Sequence, residues 1–279
     1  MYDKATANKL SLKEKLNTWF FNEKILLVYT MGKVGSSSIV NSIRQTGMLE
    51  VQPHSLTFNK RGTYFVIPPR DWKGKTRDVI KTLLLKAKVA SWKIITRNKK
   101  IKVISIVREP ISRNLSAFFE QAQYVSSDFL NKSNDEIEQL FWKYANHNAP
   151  LVWFDKEINK VFGIDVYQTP LNDSNYSIIK HKNVELLILR LENLAEYERV
   201  IGEFLDVKEF SLNNANVGSN KEYSAKYNEI KKSIEIPENY LNQMYESKYM
   251  QHFYSKSEIT HYRKKYNKHM SHINSKVQG

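Results

Sequence analysis

The stretch Thr30-Met31-Gly32-Lys33-Val34-Gly35-Ser36-Ser37-Ser38 constrains this chain more than any other part of it. Before it stands Ile25-Leu26-Leu27-Val28-Tyr29, a short run of strand-forming residues. After it Ile39, Val40 and Ile43 fall at helical spacing. Strand, glycine-bearing turn and helix start together build an anion site. The first N–H groups of a helix have no partner inside it, and the helix dipole adds positive potential at that end. Gly32 and Gly35 let the backbone approach a phosphate closely. Lys33 adds a mobile charge, and the three serines add hydroxyl donors. The loop departs from the Walker pattern G-x-x-x-x-G-K-[ST], because its lysine follows the first glycine instead of the second. An ordinary βα turn with a chance lysine is the alternative reading of the loop taken alone.

The rest of the chain alternates in the same manner. Residues 1–22, with Leu10, Leu12, Leu16, Trp19 and Phe20 among lysines, read as a helical N-terminal extension. The helix after the loop runs to about Gln45 and is closed by Gly47. Met48 to Val51 suits a second strand, ending at Pro53-His54. Residues 55–75 read as a long loop and 76–95 as a helix. Ile101-Lys102-Val103-Ile104-Ser105-Ile106-Val107 is the clearest strand. It hands over through Arg108-Glu109 to Pro110, which suits the first position of a helix. Residues 133–161 are helical in two pieces, broken near Asn148-Ala149-Pro150, with Gly163 as a C-cap. Extended segments follow at 164–167 and 176–180, a buried strand at 184–189 and a helix at 194–205. From about residue 221 the chain is polar, tyrosine-rich and helical in pattern. Strands alternating with helices imply an α/β fold with a mostly parallel sheet. Residues 23–279 read as one domain that includes the helical C-terminal tail.

Composition limits the chemistry. The 279 residues carry a net charge of +14, which favours anionic partners without choosing among nucleotides, acidic sugars, nucleic acid or an anionic membrane surface. There is no cysteine, so thiolate metal sites and cysteine nucleophiles are excluded. The seven histidines show no metal-ligand spacing, and no metal is expected. No run approaches the roughly 18 apolar residues a spanning helix needs, and the N-terminus lacks an apolar signal core. A cytoplasmic protein, in peripheral contact with the inner membrane face through its charge, is the expectation.

In parallel sheets of this kind, ligands bind beyond the carboxyl ends of the strands. Three such ends carry polar groups: the loop from Gly32 to Ser38, Arg108-Glu109-Pro110, and Arg190-Leu191-Glu192. A loop of this form, a strand ending in Arg-x-Pro and a serine eight residues after that arginine resemble the sulfotransferase superfamily. Trp153-Phe154-Asp155-Lys156-Glu157, Gly163-Ile164-Asp165-Val166-Tyr167, Lys221-Glu222-Tyr223 and His252-Phe253-Tyr254-Ser255 extend the likeness. They resemble the bacterial family described as "putative capsular polysaccharide synthesis protein". The resemblance runs from about residue 25 to 262. It implies a P-loop-type three-layer sandwich around a central mostly parallel sheet. It also implies 3′-phosphoadenosine-5′-phosphosulfate as sulfuryl donor and a saccharide hydroxyl as acceptor. Gly32, Lys33, Val34, Gly35, Ser36, Ser37 and Ser38 then hold the 5′-phosphosulfate, and Arg108 with Ser116 holds the 3′-phosphate. Lys221 belongs to a late loop that folds over the donor. Lys33 is the expected catalytic cation.

The acceptor hydroxyl needs a general base. His54, just past the expected second strand, is the candidate, with Glu109 and Glu120 behind it. Two rival readings stay open. One is a variant P-loop kinase or nucleoside triphosphatase, which needs Mg²⁺ and an acidic ligand at a strand end. The other is a non-catalytic basic module for acidic glycan or nucleic acid, although no nucleic-acid motif is evident.

Overall fold

The computed structural model describes residues 24–48, 50, 52, 56, 98–213 and 222–266. The expected N-terminal helical extension, the helix at 76–95 and most of the loop at 55–75 lie outside the described residues. In chain order the elements begin with β1 (Lys24–Val28), α1 (Ser36–Gln45), β2 (Lys100–Val107), α2 (Pro110–Val125) and α3 (Asn134–Tyr144). Then α4 (Ala149–Trp153) continues through a π-helical turn, Phe154–Asn159, into α5 (Lys160–Phe162). Strands β3 (Ser177–His181) and β4 (Val184–Arg190) and helices α6 (Glu198–Leu205) and α7 (Ser224–Ser233) follow. The last three elements are α8 (Glu238–Tyr245), α9 (Lys248–Phe253) and α10 (Lys256–Tyr266).

The sheet has the order β1-β2-β4-β3. The pairs β1–β2 and β2–β4 are parallel, with Leu27 opposite Val103 and Val103 opposite Leu186; β3 joins the edge antiparallel to β4. Alternate strand residues point to opposite faces, yet β2 and β4 are buried along nearly their whole length. The sheet is therefore covered on both sides, as a parallel sheet requires. On β3 only alternate positions are sheltered, as befits an edge.

Local chemistry explains the helix starts. Glu109 caps α2 by accepting from Ile111 N at 2.8 Å and Ser112 N at 2.7 Å, with Pro110 at the first helical position. Ser133 and Glu136 form a capping box at α3. Gly163 closes α5 in the left-handed region. Three expectations need correction. Residues 166–168 form a 3₁₀ turn, not a strand, because the Asp165 carboxylate accepts from Tyr167 N at 3.1 Å and offers the backbone a local alternative. The helix expected from 194 is α only from Glu198; a 3₁₀ segment, Leu191–Glu196, carries the chain away from β4. Met48 and Glu50 belong to no strand, and the buried Glu50 instead pairs with Arg44 at 2.9 Å.

The C-terminal helices do not trail from the domain. Tyr245, Tyr249, Tyr254 and Tyr266 are buried, and their hydroxyls find polar partners at the ends of the strands and the start of α2. The Tyr249 hydroxyl accepts from Arg108 N at 3.0 Å and donates to Arg108 O at 2.9 Å. Tyr245 donates to Glu109 Oε1 at 3.1 Å and Tyr254 to Glu192 Oε2 at 3.1 Å. Tyr266 and Ser112 share a hydrogen bond of 2.9 Å. An aromatic body with a polar tip suits a wall that is apolar toward the core and polar toward the strand ends.

Beside this wall His147 is bonded to the Tyr240 hydroxyl at 2.9 Å and to Trp142 O at 3.3 Å. Desolvation holds its pKa below the usual 6.5, against the opposing pull of the backbone bonds at Trp142 and Phe141. His252 is shifted the same way, again first by desolvation. The folded protein therefore binds fewer protons than the unfolded chain just below pH 6.5. Stability is expected to fall as pH drops below about 6.5. The His147→Gln variant should lose part of that slope in unfolding midpoints measured from pH 8 to pH 5.

Candidate functional site

The loop after β1 is built from left-handed backbone. Gly32 has φ 76°, Lys33 φ 61° and Gly35 φ 80°. Lys33 occupies a region that residues with a side chain seldom adopt. Gly35 stands at the N-cap position of α1 with no side-chain cap. The first amides of this ten-residue helix have no side-chain capping oxygen, and Ser38 N donates to Gly35 O at 3.2 Å. A Cβ at 35 would also lie 2.5 Å from Leu191 Cδ1, on the 3₁₀ segment after β4, so any other residue would have to push that side chain aside. Left-handed backbone beside a helix start makes a concave set of N–H groups suited to an anion.

The residues assigned to this loop divide by exposure. Val34 is fully buried, so it offers the site its backbone alone. Ser36 is buried and its hydroxyl accepts from Gln52 Nε2 at 2.9 Å. Ser37 and Ser38 are half-buried at the helix start.

Two guanidinium groups brace the loop from below. Arg108 Nη1 donates to Lys33 O at 2.8 Å, and Arg113 Nη2 donates to Met31 O at 3.0 Å. Arg113 is completely sheltered, whereas Arg108 keeps solvent contact. The alternative that Arg108 pairs with Glu109 is not realised, because the Glu109 carboxylate is turned into the cap of α2 and the Tyr245 hydroxyl. The same commitment removes Glu109 from the candidate bases. Helix α2 carries Arg113, Ser116 and Glu120 at i, i+3 and i+7, hence on one face. Arg113 and Glu120 of that stripe both reach the loop: Lys33 Nζ lies 3.0 Å from Glu120 Oε2, which also accepts from the Tyr223 hydroxyl. Arg113 carries no sequence motif; only its stripe with Ser116 and Glu120 gives it away.

The third strand end plays a different part. Arg190 is buried, pairs with Glu258 and Asn175, and sits 4.4 Å over the ring of Tyr254. Glu192 accepts from Glu109 N at 2.9 Å. These groups tie the turn after β4 to α2 and to the C-terminal helices. A further buried carboxylate, Glu157, lies in the π-helical turn and accepts from the Tyr29 hydroxyl and from Leu56 N at 3.2 Å. It anchors residue 56 close to the end of β1. His54 and Lys221 lie outside the described residues. Among the described residues no cluster of three or more His, Asp or Glu side chains is gathered for a metal.

Comparison with known proteins bears on one part of this arrangement. A family model, NKWYS, described as "Putative capsular polysaccharide synthesis protein", matches residues 125–255. That span covers the wall of C-terminal helices as far as α9 but neither the glycine loop nor Arg108. The chain is also similar to DNA helicase II of Rickettsia typhi (strain ATCC VR-144 / Wilmington). The two are 29% identical over 119 residues, which is 42% of this chain and 17% of the helicase. The chain thus matches under a fifth of that protein's length. No solved structure matches. Among the described residues no helix is long and apolar enough to cross a membrane.

Proposed function

We propose that this protein is a sulfotransferase that moves a sulfuryl group from 3′-phosphoadenosine-5′-phosphosulfate to a saccharide hydroxyl, in the making of capsular or surface polysaccharide. The observation that carries the reading is the 2.8 Å bond from Arg108 to the carbonyl of Lys33. It joins the strand-end arginine to the loop with the early lysine, so that two anion-binding groups belong to one site. The saccharide rests on the description of the matching family.

The roles follow from position. The amides at the start of α1, with the hydroxyls of Ser37 and Ser38, face a 5′-phosphate. Arg108 and Ser116 face a 3′-phosphate. In the reaction the acceptor oxygen bonds to sulfur, the bond from sulfur to the bridging oxygen breaks, and negative charge grows on that oxygen. In this reading Lys33 meets the charge, which stabilises the transition state more than the ground state. His54 is the proposed base that takes the acceptor proton, and Glu120, partly exposed beside Lys33, is the alternative.

A nucleoside-triphosphate reading has the helicase similarity in its favour. Against it, β2 ends in Arg108, and the acid that follows is closed into a helix cap. A Gly-Lys-Thr triplet occurs at 74–76, but Pro69 stands where a Walker loop has its first glycine, and the segment lies outside the described residues. Thermal unfolding with adenosine 3′,5′-bisphosphate separates the two readings. At a hundredfold excess over Kd the bisphosphate should stabilise by about 2.7 kcal/mol, a rise in Tm of several degrees, while ATP with Mg²⁺ leaves it unchanged. Protection by ATP with Mg²⁺ alone would transfer the protein to the triphosphate reading.

A further inference from the structure

Ser36 is the first residue of α1, follows the left-handed Gly35, and is only 7% exposed. Its hydroxyl oxygen accepts from Gln52 Nε2 at 2.9 Å. A serine hydroxyl has a single proton to give, and here the oxygen is already turned toward an amide. Among the described residues no acceptor takes that proton. The amides of Ser36 and Ser37 stand beside it, ahead of the first carbonyl partner that the helix provides. A buried donor without an acceptor is costly, and an oxyanion seated on those amides supplies one.

The segment that carries Gln52 is itself held on both sides. Just before it, one oxygen of the buried Glu50 carboxylate accepts from Nε and Nη2 of Arg44, at 3.0 and 2.9 Å. Just after it, the amide of Leu56 donates to the Tyr29 hydroxyl at 2.9 Å and to Glu157 at 3.2 Å. Arg44 belongs to α1 and Tyr29 directly follows β1, so both anchors belong to the two elements that flank the glycine loop. Gln52 stands between these anchors, half-buried, and its side chain reaches the start of α1.

We infer that Gln52 is a positioning residue for the bound anion: by holding the Ser36 oxygen it aims the Ser36 proton at the oxyanion, and so favours a ligand oxygen that only accepts. The inference rests on the sulfotransferase reading, in which the loop binds a phosphate of the donor. It adds to that reading a residue from outside the loop and its motif.

Isothermal titration of the full chain with adenosine 3′,5′-bisphosphate tests it. Ser36→Ala should weaken binding about tenfold or more, as for a lost hydrogen bond to a charged group. Gln52→Ala should weaken it about three- to tenfold, and should add nothing in the Ser36→Ala background, because the two groups act as one. Gln52→Glu separates aiming from mere anchoring. A glutamate keeps the bond to Ser36 but reverses it, and takes the proton that the ligand needs. The free variant should unfold at the parent's temperature, while its affinity falls about tenfold or more. That loss should persist in about 0.5 M NaCl, where simple repulsion is largely screened. Parental affinity in Gln52→Ala or in Gln52→Glu overturns the inference, and so does a loss in Gln52→Glu that salt abolishes. In those cases the parent still binds the bisphosphate, and the sulfotransferase reading stands. A parent that does not bind the bisphosphate removes that reading and the inference with it.

Discussion

Lys33→Ala is expected to lower the rate of sulfuryl transfer about 10²–10³-fold, the range seen when one preorganised group is removed from developing charge. The backbone should tolerate the change. Lys33 sits at φ 61°, and its carbonyl still accepts from Arg108 whatever the side chain is. Release of labelled sulfate from the donor to acceptor glycan, followed under saturating donor, reads the rate. Donor affinity should fall far less than the rate, because the amides at the start of α1 and Arg108 remain. A rate within a few-fold of the parent would remove Lys33 from the chemistry. In this structure the ammonium is paired with Glu120 at 3.0 Å. On the proposed function, turnover would include an exchange of that carboxylate for the donor's bridging oxygen, which would release Glu120 beside the acceptor.

Glu109→Ala should be the most damaging single change to stability. The Glu109 carboxylate is buried and accepts from two amides of α2 and from the Tyr245 hydroxyl. Alanine leaves three donors without a partner, at about 1–3 kcal/mol for each buried one. A total of about 3–5 kcal/mol is expected by urea unfolding. Glu109→Gln keeps one acceptor oxygen and should cost about half as much. Were Glu109 a general base, the glutamine variant would be folded and inactive. The cap predicts instead that its folded fraction keeps the parent's rate.

Much of the sheet is legible in the residues. The runs at 25–28, 101–107 and 184–189 are apolar and β-branched, and each ends at a polar turn. The α2 start is equally plain, because proline fixes it and the preceding acid caps it. What cannot be read is which distant group a side chain meets. The tyrosines of α8 to α10 stand at helical spacing and look like core filling. Their hydroxyls engage Arg108, Glu109, Ser112 and Glu192, 62 to 154 residues away in sequence. Arg113 looks like any helical arginine until the loop folds over it. The turn at 166–168 departs from the extended pattern because the Asp165 carboxylate, which accepts from Tyr167 N and Gln168 Nε2, outweighs the strand preference of Ile164 and Val166. The wall over the site was thus hidden for one reason throughout: it consists of long-range pairings.

The bonds from Tyr249 to both backbone groups of Arg108, 141 residues apart, carry a consequence for how the protein is made. The described strands are complete once residue 190 has left the ribosome, so the sheet is free to form before α8 to α10 have been synthesised. At that stage the ends of β2 and β4 have their polar groups in water, and the anion site has a floor without a wall. Only when α8 to α10 emerge and dock do the strand ends become dry and the arginine fixed. On the proposed function, a nascent chain that holds the glycine loop before α8 to α10 have docked carries no finished nucleotide site.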